Sequence, residues 1–169
     1  DEFLKALKIE PEYGEARYNL GLAYLFKGSV DQAIVEFEAA IRFIPNYYQA
    51  YSNLAVSYLK KKSPEKAIEA CIKAIEINPS YAYAYSNLGY AYLEKGMSKE
   101  AEAACYKAID LNPGIPEPHN HLGIILEREE RIDEAKAEYL KAIELNPDYP
   151  EAHFNLANLY FKKDLFPEA

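Results

Sequence analysis

Apolar side chains return along this chain every three or four residues in short blocks, and most blocks are closed by a glycine or a proline. Phe3, Leu4, Leu7 and Ile9 predict an amphipathic helix from about Asp1 to Glu10, which Pro11 stops. Tyr18, Leu20, Gly21 and Tyr24 predict a second from about Gly14 to Lys27, with Gly28 as its left-handed C-terminal cap. Ser29 is placed to cap a helix from about Asp31 to Ile44, and Gln32 to complete a capping box. Further on, Ser63 stands as N-cap before Pro64, which sits at a first helical position where its missing amide hydrogen costs nothing.

The whole pattern recurs without a gap at an offset of 34 residues. That step aligns Leu20, Leu54, Leu88, Leu122 and Leu156, then Ala33, Ala67, Ala101, Ala135 and Ala169, then Pro11, Pro45, Pro79, Pro113 and Pro147. A period of this length predicts an all-α array of antiparallel helix hairpins, each burying its apolar face on its neighbours, with no single central cleft. The expected organisation is one array over 1–169: the second helix of a truncated repeat (1–13), complete repeats 14–47, 48–81, 82–115 and 116–149, and a truncated fifth (150–169). Because it begins and ends inside a repeat, the chain is expected to be a segment of a longer protein, whose compartment is left unassigned with the cytoplasm favoured. Small residues at Gly21, Ala55, Gly89, Gly123 and Ala157 are expected to face the alanine column of the second helices and let paired helices approach. Tyr24, Tyr58, Tyr92 and Tyr160 are expected in the core, and Tyr13, Tyr47, Tyr81 and Tyr149 at the joints between repeats. Lys62, Glu130 and Asp164 replace the turn glycine, so those three turns are expected to be looser or differently shaped.

Charge and composition narrow the function. A net charge of -8 and a pI near 5.0 argue against a surface for nucleic acid or anionic membrane, which needs Lys and Arg to neutralise phosphates. No run approaches the ~18 apolar residues of a membrane span. His119 and His153 occupy the column of Tyr51 and Tyr85 and read as aromatic replacements in the core, while Cys71 and Cys105, in the column of Phe37 and Tyr139, read as buried thiols. No catalytic group, metal site or cofactor is expected.

The third repeat reads Tyr85, Leu88, Gly89, Tyr92, Gly96, Ala101, Ala108, Pro113. This resembles the tetratricopeptide repeat family, and the resemblance covers essentially Phe3 to Ala169. It implies a right-handed α-solenoid whose first helices line a concave groove and whose second helices form the outer face. It also implies a protein-interaction scaffold that binds an extended peptide of a partner protein. Two alternatives are a structural subunit that assembles or self-associates through its outer face or ends, and the substrate-recruiting arm of a glycosyltransferase.

On first helices that line a groove, one register presents Asn19, Asn53, Asn87, His121 and Asn155. This ladder is similar to the asparagines inside the tetratricopeptide superhelix of the O-linked N-acetylglucosamine transferase, which hold a peptide main chain; an amide both donates and accepts. Neighbouring registers offer Tyr18, Leu22, Phe26, Ser52, Val56, Tyr83, Ser86, Tyr90, Asn120, Ile124, Phe154 and Asn158 as anchors. His121 is the one histidine expected in the groove, where it could make a pH-sensitive contact. The basic residues with which related co-chaperones clamp a terminal carboxylate are absent from the matching positions Tyr18, Leu22, Tyr83 and Asn87, and only Asn53 fits. If the ladder serves a ligand alone, replacing Asn53 and Asn87 by alanine should weaken peptide binding and leave melting almost unchanged.

Overall fold

The computed structural model describes residues 2–165. Among these the chain forms helices α1 (Glu2–Ile9), α2 (Gly14–Phe26), α3 (Val30–Phe43), α4 (Tyr48–Lys60), α5 (Pro64–Ile77), α6 (Ala82–Glu94), α7 (Ser98–Leu111), α8 (Pro116–Arg128), α9 (Ile132–Leu145) and α10 (Pro150–Leu165), and no strand. Ala169, the last member of the alanine column, lies outside the described residues.

The hairpin turns are built alike whatever residue occupies them. Gly28 and Gly96 have φ of 76° and 73°, and Lys62 and Glu130 take the same left-handed conformation at 55° and 62°. In all four turns the following amide reaches back to a carbonyl five residues earlier, Ser29 to Tyr24, Ser63 to Tyr58, Met97 to Tyr92 and Arg131 to Leu126, each at 2.9 Å. The expectation of altered turns at Lys62 and Glu130 is therefore corrected: these backbone bonds outweigh the ~1–2 kcal/mol that a side chain costs in the left-handed region. At Asp164 there is no such turn, because α10 runs on through Leu165. The capping box also fails to form, since neither Ser29 nor Ser63 makes a side-chain cap bond. The amide of Ser29 already donates to Tyr24, so Gln32 has no free N–H to accept from.

Packing runs between sequential helices, and first helices also touch one another: α2 with α4, α4 with α6, α6 with α8, α8 with α10. No second helix contacts the next second helix among the described residues. A stack that is close along one layer and splayed along the other must curve with the close layer inside, which puts the first helices on the concave face.

Within each hairpin two columns are matched pairwise. The first joins a small residue to the side chain sixteen positions later. A Cβ on Gly21 would lie 2.7 Å from the Phe37 ring, one on Gly89 would lie 2.5 Å from Cys105 Sγ, and one on Gly123 would strike the Tyr139 ring. Phe37, Cys71, Cys105 and Tyr139 are all fully buried. The small column thus faces these residues more than the alanines, whose nearest approach at Gly89 is the Ala101 carbonyl at 3.2 Å. The second column joins residues nineteen apart. Arg17 pairs with Glu36 at 2.9 Å and His119 Nδ1 with Glu138 at 2.7 Å, whereas Tyr51 and Tyr85 stand in the same column with Ala70 and Ala104. A carboxylate meets a guanidinium in the first repeat and an imidazole in the fourth, while the second and third carry a ring and a methyl group at these places. His119 is buried as expected, but His153 is exposed and hydrogen-bonds the Pro147 carbonyl at 2.8 Å. Arg17 makes the equivalent bonds to Pro11, so His153 acts there as a tether to the preceding turn and not as a core ring.

Of the tyrosine columns, Tyr24, Tyr58 and Tyr92 are half-buried against the core and Tyr160 is exposed; Leu126 fills the fully buried place in that series. Tyr13 is likewise exposed at its joint, and Ile115 stands where the other joints carry tyrosine.

Gly123→Ala should destabilise the array by about 1–3 kcal/mol through overpacking against Tyr139. Adding Tyr139→Cys, which copies the Ala55 and Cys71 pair of the second repeat, should recover part of that loss. A double-mutant cycle in urea unfolding measures the coupling, and strict additivity would contradict the pairing.

Candidate binding groove

The concave face is assembled from one repeated seam. Each first helix reaches the preceding one at an offset of 35 residues, one more than the sequence period. Asn53 Nδ2 donates to Tyr18 Oη and to the Gln49 carbonyl, both at 3.0 Å. Asn87 Nδ2 donates to Ser52 Oγ at 3.0 Å and to the Ser52 carbonyl at 3.4 Å, and Asn155 Nδ2 donates to Asn120 Oδ1 at 2.9 Å. In the fourth repeat His121 takes the same place, hydrogen-bonded to the Ser86 backbone with its ring stacked 4.9 Å from that of Tyr90. The seam continues toward the C-terminal ends of these helices. Arg128 donates to the Leu93 carbonyl at 3.0 Å and Lys162 to Glu127 at 2.5 Å, again 35 residues apart.

The asparagine ladder therefore works first inside the protein, with Asn53, Asn87 and Asn155 each donating an N–H to the preceding repeat. Ser52, Ser86 and Asn120, expected among the groove residues, are buried beneath it as its acceptors. The joint tyrosines close over the same row. Tyr47 packs on Tyr18 with ring centroids 4.7 Å apart, Tyr81 bonds Ser52, and Tyr149 bonds Asn120. Where Ile115 replaces tyrosine no hydroxyl arrives, and Ser86 Oγ is left buried without a partner.

What the face offers a ligand is the register beyond the ladder. Leu22, Val56, Tyr90 and Ile124 are partly exposed along it, Tyr83 stands at the rim, and Phe154 and Phe26 are largely open to solvent. Between α4, α6, α8 and α10 the surface sinks into a depression of about 560 Å³. Eight of the residues expected from sequence meet in its wall: Val56, Asn87, Tyr90, Asn120, His121, Ile124, Phe154 and Asn155. Tyr18, Asn19, Leu22, Asn53 and Tyr83 do not reach it. At the N-terminal half of the face Tyr18 packs instead on Tyr47, and Tyr81 touches both Tyr48 and Tyr83. Sequence reading missed Glu117, Tyr149 and Glu151, which line the depression from the starts of α8 and α10 and the joint before α10. Their signal was available, because Glu15, Gln49, Tyr83, Glu117 and Glu151 form one column beside the ladder.

Burial sets the titration of the site. His121 is held down to about 4 by desolvation, so it is neutral near pH 7 and is no sensor of ordinary pH. Desolvation also raises the Tyr149 phenol, with the nearby Glu117 and Glu151 charges adding to it. Cys71 and Cys105 are free, buried and pushed up to about 12, which removes the thiolate that reactivity requires. On the second helices Val35, Ile72, Tyr106 and Leu140 are exposed, so the outer face is less uniformly polar than its charge pattern suggests. No helix is long and apolar enough to cross a membrane, and no group of His, Cys, Asp or Glu among the described residues could hold a metal ion.

Comparison with known proteins agrees with this architecture. The family described as Tetratricopeptide repeat matches residues 48–81 and 82–115, a second of the same description matches 2–35, and one described as TPR repeat matches 128–164. Among solved structures the chain is similar to TTC0263, a thermophilic TPR protein of Thermus thermophilus, at 28% identity and a TM-score of 0.81 over 94% of this chain and 87% of that one. It is similar to PilF of Pseudomonas aeruginosa at 26% identity and a TM-score of 0.76, covering 90% of this chain and 70% of that one. YrrB, described as a TPR protein with an unusual peptide-binding site, shares the fold at 21% identity and a TM-score of 0.69 over 97% and 84% of the two chains. A comparison with curated proteins found no match.

Since Asn53 and Asn87 hold the seam, replacing both by alanine should lower stability, by about 0.5–1.5 kcal/mol for each net hydrogen bond lost. Urea unfolding reads this directly, and an unchanged midpoint would return the ladder to a purely ligand-facing role. His121→Asn makes the ladder uniform and removes a depressed base. The native chain should lose stability as pH falls from about 6.5 toward 4, because the unfolded chain then binds a proton that the folded one refuses. Between pH 6.5 and pH 5 the native chain should lose about 2 kcal/mol more than His121→Asn does, at ~1.4 kcal/mol per pH unit; equal losses would show that His121 is protonated freely in the fold.

Proposed function

The chain belongs to the tetratricopeptide repeat family and has the fold of a protein-interaction scaffold, and from that premise we propose that it binds an extended segment of a partner protein along its concave face. The observation that carries this reading is the partly apolar register of Leu22, Val56, Tyr90 and Ile124, continued by exposed Phe154, running beside a ladder whose Asn53, Asn87 and Asn155 amides are bonded to the preceding repeat. A face of that kind supplies apolar and aromatic anchors, and the amide oxygens of half-buried Asn53, Asn87 and Asn155 are acceptors for a peptide's N–H groups. Anchors are needed, since three net hydrogen bonds of ~1 kcal/mol would not offset an association cost of ~4–15 kcal/mol. The reading assigns no catalysis: the two thiols are buried and the His119 ring is tied to Glu138.

Selection of a displayed random dodecapeptide library on the immobilised chain tests the reading. Phe154→Ala, which removes an exposed ring, should weaken the selected peptides at least fivefold, in line with a hot-spot loss of ~1 kcal/mol or more. Tyr106→Ala on the outer face should leave them bound. The reverse pattern would place the binding surface on the second helices.

A further inference from the structure

The depression between α6, α8 and α10 contains unmet hydrogen-bond acceptors. His121 is only 9% exposed, lines the depression, and has its Nδ1 buried with no partner. In the Nε2–H tautomer of the neutral ring this Nδ1 is a lone-pair acceptor. Glu117 Oε2, in the same wall, is also buried and without a partner. Neither atom can be satisfied by a group that only accepts. Both require a donor from outside the chain.

The surroundings narrow that donor. Glu117 and Glu151 line the depression against a single lysine, Lys60 at its far edge. The nearest other cation, Arg128, is committed to the Leu93 carbonyl. The remaining wall is aromatic, from Tyr90 stacked on His121 to Tyr149 and Phe154. Acidic groups, unpartnered acceptors and flat rings together fit a planar cation with several N–H donors, which stacks on rings and bonds a carboxylate in a fork.

We propose that this depression receives the side chain of an arginine carried by a basic segment of the partner protein. The inference deepens the groove reading above and rests on it. The acidity of the whole chain works in the same direction, since a charge of -8 steers basic segments toward the protein and repels acidic ones.

The probe is N-acetyl-L-arginine N-methylamide, titrated into the isotope-labelled chain and followed by amide NMR shifts beside its citrulline and lysine counterparts. Citrulline keeps the shape and loses the charge. Shifts should concentrate at 117–121 and 149–155, and citrulline and lysine compounds should bind at least tenfold and threefold more weakly. Glu117→Gln and Glu151→Gln should each weaken the arginine compound fivefold or more and leave the citrulline compound unchanged. Glu151 is exposed, so its variant keeps the test available if Glu117→Gln melts early. Equal binding of citrulline or lysine, shifts elsewhere, or unaffected variants would overturn the assignment. Displayed peptides that occupy the groove while the arginine compound does not would sink this inference and leave the groove reading standing. Failure of both probes would remove both.

Discussion

A two-helix repeat cannot bury its apolar face by itself, so this molecule depends everywhere on the seam between one first helix and the next. The seam has a fixed offset of 35 residues against a sequence period of 34. Each ladder side chain therefore meets not its own equivalent but the residue before it in the preceding repeat. That single step of difference is how successive hairpins are rotated as they stack, and it sets which residues are used up in holding the array together. Asn53, Asn87 and Asn155 donate across it, and His121 substitutes at one rung with a ring that also stacks on Tyr90. The joint tyrosines then lie over the same row and shut water out.

The hairpins obey a second constraint, that partners sixteen or nineteen residues apart must match in volume or charge. Gly21, Gly89 and Gly123 lie against Phe37, Cys105 and Tyr139 so closely that a methyl group would collide. Arg17 with Glu36 and His119 with Glu138 join by hydrogen bonds the places where the second repeat has Tyr51 and Ala70. Such pairs explain why the repeats differ in sequence while their backbones coincide: substitutions are tolerated two at a time. Lys62 and Glu130 show the same tolerance in the turns, where backbone hydrogen bonds hold a conformation that the side chains alone would not choose.

Helices, turns and hairpin order were legible in the sequence because they depend on local periodicity and on glycine and proline, which act within a few residues. The groove was legible only in part. Helical spacing shows that Asn53 and Tyr18 lie on one side of their helices, but not that Asn53 donates to Tyr18, because that bond depends on the rotation between repeats. The same limit applies to His121, where a groove histidine turned out to be a buried one. Ser29 was misread for a different reason: its amide was already bound to Tyr24 by the turn before it, a contact that a capping motif cannot reveal. His153 copies Arg17, not Tyr51, although all three share a column, because its ring nitrogen reaches the proline carbonyl six residues earlier as the Arg17 guanidinium does.

The use of the ladder inside the seam changes what the concave face can recognise. Amide hydrogens of Asn53, Asn87 and Asn155 are engaged between repeats, so what the ladder and its neighbours have left is mainly acceptor: the Oδ1 atoms of these asparagines, the carboxylates of Glu117 and Glu151, and the unpartnered Nδ1 of neutral His121. An asparagine ladder with both functions free could grip any peptide backbone from either polarity. One whose donors are spent selects for ligands that bring donors of their own. The overall acidity of the chain adds long-range attraction of the same sign, and the absence of basic residues from the columns of Tyr18, Leu22, Asn53, Tyr83 and Asn87 removes the means of holding a carboxylate. The structural cost of stitching repeats together thereby becomes a source of specificity, because the seam decides which half of each amide is left for a partner.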